Sequence, residues 1–253
     1  MKLPIYQVDA FSSRVFGGNP AAVCPLEQWL PDETLQAIAA ENNLAETAYY
    51  VPEGDGYRLR WFTPAVEVDL CGHATLASAF VVGAPVVKFF SKSGKLTVTR
   101  EGDLFTLDFP SRAPQAVAVD PGLAASMGGK PLEILAARDY MVVYGSEEEV
   151  RALRPDMQAL RNVDRFAVIA TAPGNNCDFV SRFFAPKQGI DEDPVTGSAH
   201  CTLTPYWASK LGKSELHAFQ VSARGGELWL ADNGGRVSIS GNGALYLEGA
   251  IHI

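Results

Sequence analysis

Arg60-Trp61-Phe62-Thr63-Pro64, followed by Asp69-Leu70-Cys71-Gly72-His73-Ala74-Thr75, is the stretch of this 253-residue chain that decides its fold. The same layout occurs again further on, where Arg182-Phe183-Phe184-Ala185-Pro186 precedes Asp193-Pro194-Val195-Thr196-Gly197-Ser198-Ala199-His200. The two copies lie about half the chain length apart, whereas solenoid repeats recur every 20–50 residues or so. The spacing therefore predicts one fold that is used twice.

Secondary-structure signals around the two copies follow the same order. Each copy combines strand, turn, strand, loop and helix entry, because turn residues separate short alternating or apolar runs. We expect strands at 3–10, 21–24, 48–51 and 57–62 in the first half, and at 166–172 and 178–184 in the second. A helix is expected at 31–42, where Asp32 is placed to cap it.

The segments after Gly72 and Gly197 are predicted to be helices. Residues 73–82 are apolar on nearly every face, which is typical of a buried helix, and their small side chains let strands wrap closely around them. Residues 199–211 are bulkier, and Pro205 fits there only in a first turn or at a kink. From His217 onward, short β-like runs alternate with Gly-rich turns, which indicates an antiparallel meander.

Composition and charge exclude several classes of function. The net charge is −8 and the chain has no run of basic residues, so we expect no nucleic-acid partner. The first residues lack a signal-peptide core, and the longest apolar stretch, 74–87, is too short to span a membrane. The four cysteines form no CxxC pair and are expected to be reduced thiols of a cytoplasmic protein without a membrane partner.

The turns at Gly72 and Gly197 are the best candidates for chemistry. A helix N-terminus has unpaired backbone N–H groups and a partial positive charge, and glycine lets a ligand approach the backbone. Two such turns together would hold a carboxylate or a developing enolate. The alternative is that both glycines only relieve crowding. Their matching contexts favour a functional role.

Ionisable and polar side chains occur beside these turns or in a similar setting. His73 follows Gly72, Ser198 holds the matching position after Gly197, and Asp193 precedes the second turn. Glu46 lies between a predicted helix and a strand, where a partly desolvated carboxylate can exchange protons near neutral pH. The simpler alternatives are a surface acid at Glu46, a helix-start residue at His73 and a turn cap at Asp193.

Metal and thiol chemistry have weaker signals. The four histidines show no HExxH motif or other paired spacing, so no metal is expected. Cys71 is a conceivable nucleophile, because a helix N-terminus lowers the pKa of a nearby thiol.

Taken together, these motifs make the chain resemble the PhzF family of phenazine-biosynthesis-like isomerases, within the diaminopimelate-epimerase-like fold. The resemblance spans residues 9–200 in family order. It is carried by the two copies quoted above together with Asp9-Ala10-Phe11, Gly18-Asn19-Pro20-Ala21-Ala22-Val23 and Asn43-Leu44-Ala45-Glu46-Thr47.

This resemblance implies an α+β fold of two similar domains, each a β-sheet curled around a central helix, with the site in the cleft between them. We set the domains at 1–113 and 114–253, and the resemblance allows the last strand to return to the first domain. The resemblance further implies no cofactor, no metal, a small carboxylate substrate and a homodimer.

Roles for individual residues also follow from the resemblance. In the phenazine-pathway member, a glutamate moves a proton within trans-2,3-dihydro-3-hydroxyanthranilate, and Glu46 matches that acid/base. His73, Asp193 and Ser198 match its polar partners, while Gly72 and Gly197 match its backbone donors. Asn19 and Cys71 are expected to help bind the substrate. The motifs predict a proton shift within a small amino- or hydroxy-carboxylate and do not specify which one.

Two alternatives remain open. Related epimerases and racemases use two cysteines, one from each half, and Cys71 stands at the first position. The second half has no cysteine before Gly197, and Cys201 lies past the turn, which disfavours two-base inversion. The other alternative is a catalytically idle protein that binds a metabolite or a protein partner.

Overall fold

The computed structural model describes residues 1–118 and 121–253. Its helices are α1 Asp32–Asn42, α2 Gly72–Val82, α3 Pro121–Met127, α4 Glu147–Ala152, α5 Met157–Leu160 and α6 Gly197–Leu211. Its strands are β1 Lys2–Ala10, β2 Asn19–Pro25, β3 Glu46–Glu53, β4 Gly56–Phe62, β5 Glu67–Val68, β6 Val86–Ser91, β7 Gly94–Glu101, β8 Leu104–Pro110, β9 Gln115–Ala116, β10 Glu133–Ala136, β11 Tyr140–Val143, β12 Val168–Pro173, β13 Phe179–Ala185, β14 Ile190–Asp193, β15 Glu215–Gln220, β16 Gly226–Asp232, β17 Arg236–Gly241 and β18 Gly243–His252. Mixed strand pairing with few helices confirms the predicted α+β class.

The described chain divides into two compact units. The first unit consists of residues 1–108 together with 240–253, and the second consists of residues 109–239. The domain limits of 1–113 and 114–253 stay a prediction.

In the first unit, strand directions alternate in a characteristic order. β1 pairs antiparallel with β2, β2 parallel with β3, and β3 antiparallel with β4. β4 then pairs antiparallel with β5 and parallel with β6, and β6 pairs antiparallel with β7. On its other side, β1 pairs antiparallel with β18 from the end of the chain.

The second unit repeats this order. β10 pairs antiparallel with β11, β11 parallel with β12, and β12 antiparallel with β13. β13 pairs antiparallel with β14 and parallel with β15, and β15 pairs antiparallel with β16. β10 also pairs with β9, which precedes it in the chain. The sequence repeat thus corresponds to one strand arrangement, β1–β7 and β10–β16, that occurs twice.

Helix α2 is the central helix of the first unit, as its composition predicts. Residues 73–79 are all buried, and the helix packs against β1, β2 and β3. Its small residues permit this close packing. Two buried hydroxyls inside it, those of Thr75 and Ser78, donate to the carbonyls of Cys71 and Ala74 one turn earlier, so neither is left unsatisfied.

Helix α6 occupies the corresponding place in the second unit and packs against β15 and β16. Pro205 lies in the interior of this helix and not in its first turn. Because proline has no N–H, the carbonyl of Cys201 loses its usual intrahelical partner. The N–H of Arg112 donates to that carbonyl at 2.8 Å and replaces the missing bond.

Two local predictions are wrong. Asp32 does not cap α1, whose N-cap is Pro31. Its carboxylate instead pairs with Arg60 at 2.9 Å. The predicted meander after His217 holds for β15 and β16, whereas β18 pairs with β1. Among the helices of the described residues, none has the length and apolar character that a membrane crossing needs.

Candidate active site

A tight turn before β2 places Asn19 inside the first unit. Gly18 has a φ of +62°, and a Cβ at this position would lie 2.1 Å from the carbonyl oxygen of Ala10, so only glycine fits. Asn19 follows as the first residue of β2 and is fully buried. Its Nδ2 lies 3.3 Å from Nδ1 of His73, so this amide positions the imidazole.

Glu46 and His73 form a close pair in the first unit. Glu46 is the first residue of β3, and His73 is the second residue of α2. Their Oε2 and Nε2 atoms are 3.1 Å apart. The His73 side chain is 7% exposed and that of Glu46 is 14% exposed, so the pair is largely dry but the carboxylate keeps an approach from outside. Glu46 is therefore not the solvated surface acid of the simpler alternative.

Cys71 completes this cluster near the other nitrogen of the imidazole. Its Sγ lies 3.5 Å from Nδ1 of His73, and the residue is buried. Burial, reinforced by the negative charge of Glu46, raises the pKa of the Cys71 thiol. The prediction that the helix N-terminus lowers this pKa is wrong, because desolvation outweighs the helix effect. The thiol is therefore protonated at neutral pH.

His73 has the opposite electrostatic balance. Burial by itself would lower its pKa, but the negative charge of the Glu46 carboxylate beside the ring raises that pKa well above 6.5. The direction follows from the Glu46 carboxylate, which lies against Nε2. An imidazolium at this position neutralises the carboxylate and can exchange a proton with it.

In the second unit, Asp193 is tied to the entry of α6. The Thr196 hydroxyl donates to Oδ2 of Asp193, and Thr196 therefore does not cap α6 with its side chain. Buried Gln220 accepts from the Thr196 N–H at 2.8 Å and donates to the Asp193 carbonyl at 2.8 Å. These bonds hold Asp193 and the start of α6 in one arrangement.

Ser198 contacts a charged pair in the same unit. Its Oγ accepts from Nη2 of Arg138 at 3.1 Å. Arg138 also donates through Nε and Nη2 to the two carboxylate oxygens of fully buried Asp139, each at 3.1 Å. Burial raises the pKa of Asp139, although Arg138 opposes this shift. Ser198 is therefore positioned by the Arg138 guanidinium, which the Asp139 carboxylate holds in place.

A duplicated ion pair supports the segment before each helix entry. Arg60 binds Glu67 through Nε and Nη2 at 2.8 and 3.0 Å, and Arg182 binds Glu192 through the same atoms at 2.7 and 2.8 Å. Each guanidinium also lies over the phenylalanine two residues later in its own strand. Glu192 directly precedes Asp193, so this pair anchors the strand that carries a predicted catalytic residue.

The structure brings together four predicted residues within the first unit: Glu46, His73, Cys71 and Asn19. Gly72 and Gly197 are the first residues of α2 and α6, and no side chain caps either helix. The catalytic and binding roles of the predicted residues remain predictions.

Sequence reasoning missed the three residues that position Asp193 and Ser198. Arg138, Asp139 and Gln220 lie outside the repeated motifs, and nothing in their local sequence distinguishes them. Histidine spacing also does not reveal a second feature, a cluster of three potential metal ligands of different residue types. One donor atom each from Glu46, Cys71 and His73 lies within 4.8 Å of the others.

Comparisons with known proteins give consistent matches over the whole chain. The family model described as phenazine biosynthesis-like protein, PhzC-PhzF, matches residues 8–249. An uncharacterized isomerase of Pseudomonas aeruginosa is 52% identical, with both chains covered completely. The human phenazine biosynthesis-like domain-containing protein is 38% identical over 99% of each chain. A crystal structure of a PhzF-family protein from Enterococcus faecalis superposes with a TM-score of 0.98 at 47% identity, covering both chains completely. The predicted diaminopimelate-epimerase-like fold is confirmed.

Proposed function

The chain belongs to the PhzC/PhzF family of phenazine biosynthesis-like proteins, and from that premise we propose that it is an isomerase. It moves a proton within a small amino- or hydroxy-carboxylate by general acid/base catalysis. The observation that carries this proposal is the Glu46–His73 pair, in which the two side chains are largely buried and 3.1 Å apart.

The proposed reaction begins at the Glu46 carboxylate. It takes a proton from a carbon of the substrate, and the electrons of the broken C–H bond enter the conjugated system of the substrate. The proton is then returned from the Glu46 carboxyl group to another carbon of that system. Atoms and electrons balance within the substrate, so the reaction is an isomerisation that needs no redox partner.

His73 is proposed to control the charge of this carboxylate. The positive charge of the His73 imidazolium balances the negative charge of the Glu46 carboxylate before the reaction. When Glu46 accepts the proton from the substrate, His73 can adjust its own charge through the Nε2 proton. Buried Asn19 keeps the ring in place from the opposite nitrogen. A catalytic base held in this way changes its protonation state without moving.

Backbone groups are proposed to bind the substrate carboxylate. The uncapped first turns of α2 and α6, at Gly72 and Gly197, offer N–H donors and the positive end of a helix dipole. Asp193 and Ser198 are proposed to orient the amine or hydroxyl of the substrate and to relay protons. Their contacts to Thr196 and Arg138 support this role, since both side chains are already oriented.

The test is solvent deuterium exchange into a panel of small amino- and hydroxy-carboxylates, read by mass spectrometry. We expect Glu46→Gln to keep the fold and to lose turnover by a factor on the order of 10² or more. Glu41→Gln, at an exposed carboxylate of α1, is the matched control and should leave turnover unchanged. Full exchange in Glu46→Gln would remove Glu46 as the base.

Cysteine chemistry is tested in the same assay. A protonated, buried Cys71 thiol disfavours a cysteine-dependent epimerase, so Cys71→Ser should retain exchange. If the unaltered chain binds a carboxylate by calorimetry and exchanges no deuterium into it, the idle binding protein becomes the better assignment.

We also propose that the chain works as a cytoplasmic homodimer. The family resemblance and the free state of all four cysteines support this proposal. Sedimentation velocity over a dilution series measures the mass of the particle. A single species with the mass of one chain at all concentrations would contradict it.

A further inference from the structure

The cluster of Glu46, Cys71 and His73 has a donor set that the proton-transfer proposal does not use. Cys71 supplies a sulfur, His73 a ring nitrogen and Glu46 a carboxylate oxygen, and these atoms lie within 4.8 Å of one another. Thiolate, imidazole and carboxylate are the three ligand types that Zn²⁺ takes in proteins. We propose that this cluster is a binding site for a thiophilic divalent metal ion of the Zn²⁺ type.

The geometry of the three donors is close to that of a zinc site. Zinc–ligand distances of about 2.0–2.3 Å place the donors of a tetrahedral site roughly 3.3–3.8 Å apart. The 3.1 Å separation of Glu46 Oε2 and His73 Nε2 is slightly shorter than this range. The widest of the three donor separations is at most 4.8 Å, so it has to shorten by up to about 1 Å when the ion binds.

Charge and surroundings also suit a divalent ion. Binding releases the proton of the Cys71 thiol and one ring proton of His73 to solvent. The resulting thiolate and the Glu46 carboxylate together cancel the two positive charges of the ion, so the buried cluster stays neutral. Three protein ligands leave a fourth position open, as in catalytic zinc sites. The amide nitrogen of Asn19 lies 3.3 Å from Nδ1 of His73 and limits rotation of the ring.

Binding of the ion has a consequence for the proposed function. The ion takes the carboxylate of Glu46 and the Nε2 atom of His73, which are the groups that the proton transfer needs. Occupancy therefore blocks isomerisation, and the same cluster is either a proton shuttle or a metal site. This inhibition rests on the proposed function, whereas the metal site itself does not.

The direct test is titration of the full chain, after treatment with a chelator and its removal, with Zn²⁺ in a calorimeter and with Co²⁺ in a spectrophotometer. We expect one ion per chain and a thiolate-to-cobalt charge-transfer band. Cys71→Ser should abolish the band and weaken binding by more than about tenfold, the loss that even changes in the outer shell cause. Cys201→Ser is the matched control, because Cys201 is a buried thiol near the start of α6.

The outcomes separate the two proposals. No binding by the unaltered chain, or equal binding by Cys71→Ser and the unaltered chain, would overturn the metal site. Adding Zn²⁺ to the deuterium-exchange assay tests inhibition, and we expect exchange to stop at one ion per chain. If Zn²⁺ binds through Cys71 while exchange continues, the metal site stands and the case for Glu46 as the base fails.

Discussion

Removing Arg182 should destabilise the second unit strongly. The guanidinium donates to both carboxylate oxygens of Glu192 and to the carbonyls of Val150 and Leu153 at 3.2 and 3.0 Å, and it lies over the ring of Phe184. Arg182→Met keeps much of the apolar stem but leaves a carboxylate and two carbonyls without their donor. Because breaking a buried ion pair leaves an uncompensated charge, we expect a loss of about 3–5 kcal/mol in the free energy of unfolding.

The first strand hairpin offers a matched control. Arg58 and Glu53 also form a two-fold contact, but their side chains are 40% and 42% exposed, against 11% and 23% for Arg182 and Glu192. Solvent screens the exposed pair, so Arg58→Met should cost no more than about 1 kcal/mol. The contrast therefore compares a largely buried pair, whose arginine also binds two carbonyls, with an exposed pair of the same two residue types.

Urea denaturation of the single and double variants measures both effects. Unfolding is followed by circular dichroism and by tryptophan fluorescence, and transitions that coincide justify a two-state treatment. A double-mutant cycle between Arg182→Met and Glu192→Gln should give a coupling of about 1–3 kcal/mol. If Arg182→Met costs no more than Arg58→Met, the duplicated pair does not anchor the strand before Asp193.

Three further predictions concern pH and a buried amide. Hydrogen bonding to Arg60 lowers the pKa of Glu67 to about 2, so this carboxylate stabilises the fold above the unfolded pKa near 4.5 and the effect is lost as pH falls toward 2. Acid titration of the unfolding free energy should show a term of as much as about 3 kcal/mol that Glu67→Gln lacks, and an identical pH profile in the two proteins would contradict it. In NMR titrations, His73 should stay protonated well above pH 6.5. Burial lowers the pKa of His200 to about 4, so His200 should stay neutral down to about pH 5. If both histidines titrated near pH 6.5, both expectations would be refuted. Gln220→Leu should cost about 1–3 kcal/mol in urea, because it strands the polar groups that Gln220 now satisfies, and unchanged stability would show that these bonds contribute little.

The sequence predicts the duplicated core well, because its signals are local. The apolar run after Gly72 identifies a buried helix from composition alone, and α2 begins at Gly72 as expected. The strand arrangement of β1–β7 recurs in β10–β16 because the same turn and strand residues recur in the chain. These predictions need no information about distant contacts.

The residues that position the site could not be predicted, because their partners are distant in the chain. Arg138 reaches Ser198 across 60 residues, and Gln220 reaches Thr196 across 24. The predicted pKa shift of the Cys71 thiol is wrong for a related reason: the sequence predicts a lowered pKa, whereas the folded chain raises it. A sequence reveals the helix N-terminus beside the thiol, but the degree of burial that outweighs it appears only in the folded chain.

The pairing of β1 with β18 has a consequence for the order of folding during synthesis. Residues 2–10 are made before the whole second unit, and their partners at residues 243–252 are made after it. Residues 109–239 form the second unit without any later segment, so the half encoded second is able to complete its sheet first. This reverses the usual order in which N-terminal domains fold ahead of those that follow. Until residues 243–252 have been made, one edge of β1 is exposed, and the nascent chain has to be kept from pairing through it with other strands.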